Sequence, residues 1–588
     1  MKQFFKFMFA SVAGFALAML VVFFLLMGFV ASLAALTQPQ EVVIEPKSVL
    51  HLRLNQTIVD RGVDMPFQGM NFMGAEIAST VGLNDILENI RKAEKDPNIE
   101  GIFLELSIIM AGWGTVAEIR EALSDFSESG KFIVAYGESK SQKAYYLASV
   151  ADSIFINPLG SLDFRGLNTE LTFFKGLFDR LGIEVQLVKY GDFKSAAEPL
   201  TQTSMSSENR MQITAYMQSL WQSVLNAISQ DRGIEVAELN RIADAFLSRS
   251  PELALENGLI DGIKHRDEVM ELLSRKLEKE DANKIELVNL SDYSRVAAPR
   301  VGARSRNRIA VVYGSGSIMP GQGSDQQIGS DRIAAAIREA RIDTAVKAIV
   351  FRVNSPGGSA LASEVIHREV YLAAKVKPVV VSMGDVAGSG GYYIAAPANL
   401  IVANAATLTG SIGVFGIIPN MQGFFNEELG VTFDNVKTNT HADLMSIHRP
   451  LSQQERWLLE QEIGRIYNAF IAHVAAGRNI TVQQADQLGQ GRIYSGIEAK
   501  ELGLVDELGG LNHAIARAAE KAGITEYRVV ELPERKDFFT QLTESLIGVR
   551  QRIIRQSIGD AYKYYQQINN IKEFSGIQAR MPWQITVE

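Results

Sequence analysis

The chain carries one pattern twice. Tyr145-Tyr-Leu-Ala-Ser-Val-Ala-Asp-Ser-Ile-Phe-Ile-Asn157 recurs as Tyr392-Tyr-Ile-Ala-Ala-Pro-Ala-Asn-Leu-Ile-Val-Ala-Asn404, an offset of 247 residues. The apolar runs Gly101–Leu106 and Ala348–Val353 share that offset, and Glu256–Asp261 matches Glu501–Asp506 at 245. Three separated blocks at nearly one offset define a tandem duplication, with a period far longer than that of a solenoid repeat. Whatever fold one copy takes, the chain builds it twice. Its 588 residues leave room for two to four domains.

Within copy one, Val49–Leu54 alternates like a strand, Asn84–Glu94 has helical spacing, and Ile102–Leu106 reads as a strand. Gly114–Phe126 follows as a helix and Phe132–Ala135 as a strand. Copy two repeats the order with Ile309–Val312, Asp331–Ala340, Ala348–Val353, Pro378–Val381 and Leu400–Ala403. Helices alternating with short apolar strands predict an α/β architecture. The expected layout is an N-terminal anchor over 1–40, copy one over 45–275, a connector over 276–307, copy two over 308–530 and a helical tail over 531–588.

Residues 7–40 carry no charge, and Phe7 to Leu36 is nearly continuous apolar sequence. A bilayer needs roughly 20 such residues. Lys2 and Lys6 precede the run, and Glu41 is the first charge after it. The basic flank predicts that the N-terminus stays in the cytoplasm and the remainder is translocated, giving a single-pass protein. A cleaved signal peptide is the competing reading, since Ser32-Leu-Ala34 has suitably small residues. The absence of cysteine removes disulfides, thiolate nucleophiles and Cys-based zinc sites together. A net charge of −9 gives no support for nucleic-acid binding.

The two copies differ where chemistry is expected. In copy two, Thr409-Gly-Ser-Ile-Gly413 follows a strand, and Ser411 between glycines has the setting of a presented nucleophile. The matching position in copy one is Phe164. Asn354-Ser-Pro-Gly-Gly-Ser359 offers a turn whose N–H groups can face a ligand, and copy one has Ser107-Ile-Ile-Met-Ala-Gly112 there. Further on the asymmetry reverses: Lys194 in copy one matches Ala442 in copy two. A lysine can serve as base if burial lowers its pKa from about 10.4 toward neutrality. Each copy therefore holds half of a Ser–Lys pair, while the plain alternative for Lys194 is a surface lysine.

None of the seven histidines pairs at the i, i+4 spacing of a helical zinc site, so neither a metal nor a cofactor is expected. Gly314-Ser-Gly-Ser317 and Gly388-Ser-Gly-Gly-Tyr-Tyr393 fit neither Rossmann nor Walker spacing. The second is read as letting a helix pack beneath the nucleophile turn.

The apolar N-terminus, Asn354-Ser-Pro-Gly-Gly-Ser, Gly388-Ser-Gly-Gly-Tyr-Tyr, Thr409-Gly-Ser-Ile-Gly and Lys194-Ser-Ala-Ala-Glu-Pro together resemble the long form of the signal peptide peptidase A (protease IV) family. The likeness runs from about residue 45 to 525. It implies two Clp-protease/crotonase-like domains, each a spiral of ββα units, and a Ser–Lys dyad assembled from both. It also implies a bowl-shaped homo-oligomer, a tetramer in the family, on the outer face of the bacterial inner membrane. There it would degrade cleaved signal peptides. Under that resemblance Ser411 is the nucleophile and Lys194 the general base. The amides of Gly358 and Ile412 form the oxyanion hole, with Gly357 a weaker candidate. Two rivals remain: a crotonase-type enzyme acting on an acyl thioester, which would tolerate loss of Ser411, and a non-catalytic membrane scaffold.

Overall fold

The computed structural model describes residues 2–36, 43–62, 71–72, 75–76, 80–296, 305–534 and 576–581. The tail helix expected over 538–571 falls outside these. Lys2–Leu36 is one helix, and its stretch Lys6–Leu25 is long and apolar enough to cross a bilayer.

Each copy folds around a parallel sheet, as the alternating pattern requires. Copy one orders its strands Gly262–Ile263, Ser153–Ile156, Phe132–Gly137, Ile99–Glu105, Ser48–Leu52 and Leu287–Asn289, all parallel. Copy two follows the same plan with Glu507–Leu508, Leu400–Ala403, Val379–Gly388, Val346–Ser355, Arg308–Ser315 and Arg528–Leu532, and adds Leu408–Gly410 on Val379–Gly388 with Ile493–Ser495 antiparallel to it. The helices Leu83–Lys95 and Ser330–Ile342 fill equivalent places, as do Trp113–Glu128 and Ala360–Ala374. Apolar residues of copy two, Ala406, Leu408 and Ile493, pack into the copy-one core, so the halves share hydrophobic surface.

A third sheet joins the copies. Its order is Gly323–Ser324, Gln327–Gly329, Ser317–Met319, Gly357–Ser359, Gly576–Arg580, Val414–Asn420 and Glu184–Tyr190. Six of these strands lie beyond residue 316, and the last comes from copy one. Glu184–Tyr190 runs antiparallel to Val414–Asn420 over its whole length, from Tyr190 opposite Val414 to Glu184 opposite Asn420. The strand Gly576–Arg580 corrects the expectation of a helical tail over 531–588. It sits between Gly357–Ser359 and Val414–Asn420 and is antiparallel to both. Two facing strand edges supply backbone partners on both sides, and those outweigh helical preference in so short a segment.

Buried charge also fastens the copies. Arg352 of copy two is fully buried, with Nε 2.8 Å from Asp60 Oδ1 and Nη2 2.7 Å from Glu118 Oε1, both in copy one. Asp60 also accepts from Asn354 Nδ2 at 2.8 Å and Ser315 Oγ at 3.0 Å. Burial alone would raise the Asp60 pKa, but Arg352 and these donors hold it below the usual value. Asp60→Ala leaves the buried guanidinium short of one anion. The expected cost is about 3–5 kcal/mol, measured as a lower urea midpoint than that of the wild type.

Candidate active site

Lys194 is delivered by the cross-copy strand. After Tyr190 the chain turns at Gly191, and Phe193 N–H donates to Gln490 O at 3.0 Å. Gln212 Nε2 braces the turn from below, donating to Phe193 O at 3.1 Å and Ser195 Oγ at 3.0 Å. The side chain then runs inward and is 2% exposed. Its Nζ donates to Ser389 Oγ at 2.7 Å, Ser411 O at 2.9 Å and Ser411 Oγ at 3.0 Å. Burial pushes its pKa well below the usual lysine value. That favours the neutral amine, which is the form that can accept a proton.

The structure therefore brings Lys194 and Ser411 together, and it adds a second hydroxyll that sequence reasoning passed over. Ser389 caps the short helix Gly390–Ala395 at φ 53°, ψ −113°, a strained conformation for a residue with a Cβ. Its N–H donates to Gly410 O at 2.7 Å, which ties it to the strand preceding Ser411. Both serines are fully buried. The signal that could have singled out Ser389 is the duplication itself. At the offset of 247, Gln142 stands in its place, so copy one lacks this hydroxyl as it lacks Ser411.

The backbones that carry the two serines have different neighbours. Gly388, Ser389 and Gly390 border the groove in which Gly576–Arg580 lies. A Cβ on Gly388 would overlap Met581, and one on Gly390 would stand 2.9 Å from Ala579 O. Gly410 and Gly413, around Ser411, instead approach Arg492, Tyr494 and Gly491 within the body. Ser411 N–H donates inward to Arg492 O at 2.6 Å, and Ile412 O accepts from Gly491 N–H at 2.8 Å. So the backbone around Ser389 borders the groove, with Ser389 Oγ lying between Lys194 Nζ and Gly413 O, the latter at 3.3 Å, while the amides of Ser411 and Gly491 bind within the body.

Gly357 and Gly358 form the groove's other bank. Gly357 has φ 93°, and any Cβ there would overlap Ala579 O and stand 2.8 Å from Gly390 N. Gly358 pairs with Ala579 on one side and Ile318 on the other. Gly390 opens its helix, so its N–H has no acceptor within that helix. The Gly357–Gly358 turn and the Gly390 amide thus converge beside Ser389. Beyond Met581 a cleft of about 590 Å³ continues between the copies, lined by Trp113, Lys143, Tyr313, Asn354 and Asp385 among others.

A buried lysine among serine hydroxyls beside a strand-lined groove is the equipment of a serine peptidase. The model of Peptidase family S49 matches residues 125–280 and 372–525, once in each copy. The curated "Protease 4" of Salmonella typhi is 37% identical over 486 residues, spanning 81% of this chain and 78% of that one. "Protease 4" of Haemophilus influenzae is 35% identical over 457 residues, 76% and 74% of the two chains. "Serine protease SPPA, chloroplastic" of Arabidopsis thaliana is 34% identical over 509 residues, 86% and 74%. The chain belongs to peptidase family S49 and is a serine protease.

Proposed function

We propose that this chain cleaves peptide bonds with a Ser–Lys dyad shared between its copies, and that Ser389 is the attacking hydroxyl. The observation that carries this reading is the buried Lys194 Nζ, 2.7 Å from Oγ of Ser389, whose neighbours Gly388 and Gly390 border the groove. Neutral Lys194 takes the Ser389 proton as Oγ bonds to the substrate carbonyl carbon. The oxyanion is held by the amides of Gly358 and Gly390, with Gly357 shaping the turn. As the C–N bond breaks, the lysine passes the proton to the leaving amine. A water then attacks the acyl ester by the same route and frees Ser389.

This revises two expectations. Ser411 becomes the hydroxyl that orients Lys194 from behind, and Gly390 replaces Ile412 in the oxyanion hole, because an oxyanion donor must face the groove. Activity of the full chain in detergent, read with a fluorogenic apolar peptide, tests the assignment. The dyad predicts loss on Lys194→Ala and on Ser389→Ala. Loss on Ser411→Ala with activity kept by Ser389→Ala would restore Ser411 and Ile412.

On this reading a substrate lies as the tail strand does: extended, antiparallel to Gly357–Ser359, with a backbone carbonyl at Gly390. The same strand competes with substrate. Ending the chain at residue 575 should lower KM for a peptide by about tenfold, since a tethered strand acts at millimolar effective concentration. An unchanged KM would mean that the segment leaves the groove freely.

The apolar helix and the family relatives support membrane anchorage, with signal peptides and other hydrophobic peptides degraded at the outer face of the bacterial inner membrane. Protease added to intact spheroplasts should digest the catalytic part; protection would reverse the orientation. The family resemblance makes a homo-oligomer the proposed assembly. Copy two's counterpart of the cross-copy strand exposes Val431, Phe433 and Val436. A second copy of the chain could pair there as copy one pairs with copy two.

A further inference from the structure

Glu364 and His367 lie one turn apart on the helix Ala360–Ala374, and His473 reaches them from the helix Gln453–Arg478. One ligand atom from each can be chosen so that all three lie within 4.8 Å of one another. His473 Nε2 is 3.1 Å from Glu364 Oε2, and the two imidazole rings have centroids 3.9 Å apart. His367 is buried, whereas the side chains of Glu364 and His473 are 46% and 31% exposed, which leaves an entry path. Tyr393 Oη donates to Glu364 Oε2 at 2.5 Å, the outer hydrogen bond that ligating carboxylates usually receive.

We propose that Glu364, His367 and His473 bind a borderline divalent transition-metal ion such as Zn²⁺, with one position open to water. Two imidazoles and a carboxylate form a donor set that suits this class. Tetrahedral zinc places its ligand atoms about 3.4 Å apart, so small side-chain rotations would close the set. The copies supply an internal contrast. At the offset of 247, Ala117 and Arg120 replace Glu364 and His367. At the helix offset of 246, Ala227 replaces His473. Copy one fills the space with Arg120, which lies over Tyr146 and donates to Ala227 O at 3.1 Å. All three donors therefore occur only in the copy that carries Ser389 and Ser411.

The position suggests what the ion does. The first helix starts directly after the Gly357–Gly358 turn, and Tyr393 follows Ser389 by one turn, its N–H donating to Ser389 O at 2.8 Å. An ion here ties the Gly357–Gly358 turn to the helix that Ser389 caps. It takes no part in the proton transfers.

The test uses the untagged full chain in detergent, stripped with chelator, dialysed against Zn²⁺ and assayed for bound metal. Titration with Co²⁺ reports the ligand field in the visible spectrum. Wild type should hold one equivalent more than E364A/H473A, show a visible Co²⁺ band that Zn²⁺ removes, and bind at least tenfold more weakly in Tyr393→Phe. Glu364→Ala, at a half-exposed position, gives a well-folded second variant that should also lose the band. Equal Zn²⁺ uptake by wild type and the variants, or no visible Co²⁺ band in wild type, overturns the proposal.

Discussion

Ser389→Ala is expected to lower kcat by about 10⁴-fold or more, as loss of a serine nucleophile does elsewhere. Ser411→Ala should lower it by only about 10–100-fold. The difference follows from what each hydroxyl touches. Ser389 Oγ adjoins Lys194 Nζ, and its neighbours Gly388 and Gly390 border the groove holding Gly576–Arg580, so on the proposed reading no acyl ester can form without it. Ser411 Oγ is one of three acceptors around Nζ, and Ser411 O and Ser389 Oγ remain when it is removed. Losing one buried hydrogen bond of this kind costs about 1–3 kcal/mol. A fluorophosphonate probe gives a second readout: it should label Ser411→Ala and leave Ser389→Ala unmodified. The reverse labelling pattern would place the nucleophile at Ser411.

The duplication made much of this fold legible. Strands such as Ala348–Val353 and Leu400–Ala403 stood out because buried parallel strands are continuous apolar runs, and both were visible twice. Lys194 was legible for a different reason: only a comparison of copies reveals a lysine kept where the other copy has alanine. The same comparison sets Ser389 against Gln142, but the glycines of Gly388-Ser-Gly-Gly equally fit a closely packed helix start. Choosing between two Gly-flanked serines requires knowing which faces the groove, and that depends on strands hundreds of residues apart. The tail strand was hidden because Gly576-Ile-Gln-Ala-Arg580 gains its partners only from the assembled third sheet. The Glu364–His367–His473 cluster escaped because its spacing is i, i+3 on one helix, with the third member on another.

Lys194→Met should abolish turnover and at the same time stabilise the fold. Loss of the base removes proton transfer in both half-reactions, and the expected fall in kcat is about 10⁴-fold or more. In the wild type, activity requires the neutral amine, so kcat/KM should rise with pH through the folded pKa of Lys194, which burial sets well below the ordinary value. The same shift acts on stability with a definite sign. Between that lowered pKa and the unfolded value near 10.4, the unfolded chain binds one proton more than the folded one. Stability therefore rises with pH across this window and is reduced toward its acid end. Methionine fills a similar volume without titrating, so the variant should lose this slope and melt higher than wild type near neutral pH. Thermal melts of both proteins across that window, paired with pH–rate profiles, separate the two roles. A Lys194→Met chain that is inactive but no more stable, with the pH slope unchanged, would mean that the lysine is charged in the resting enzyme. Lys194 could then serve as base only after substrate binding removed that proton.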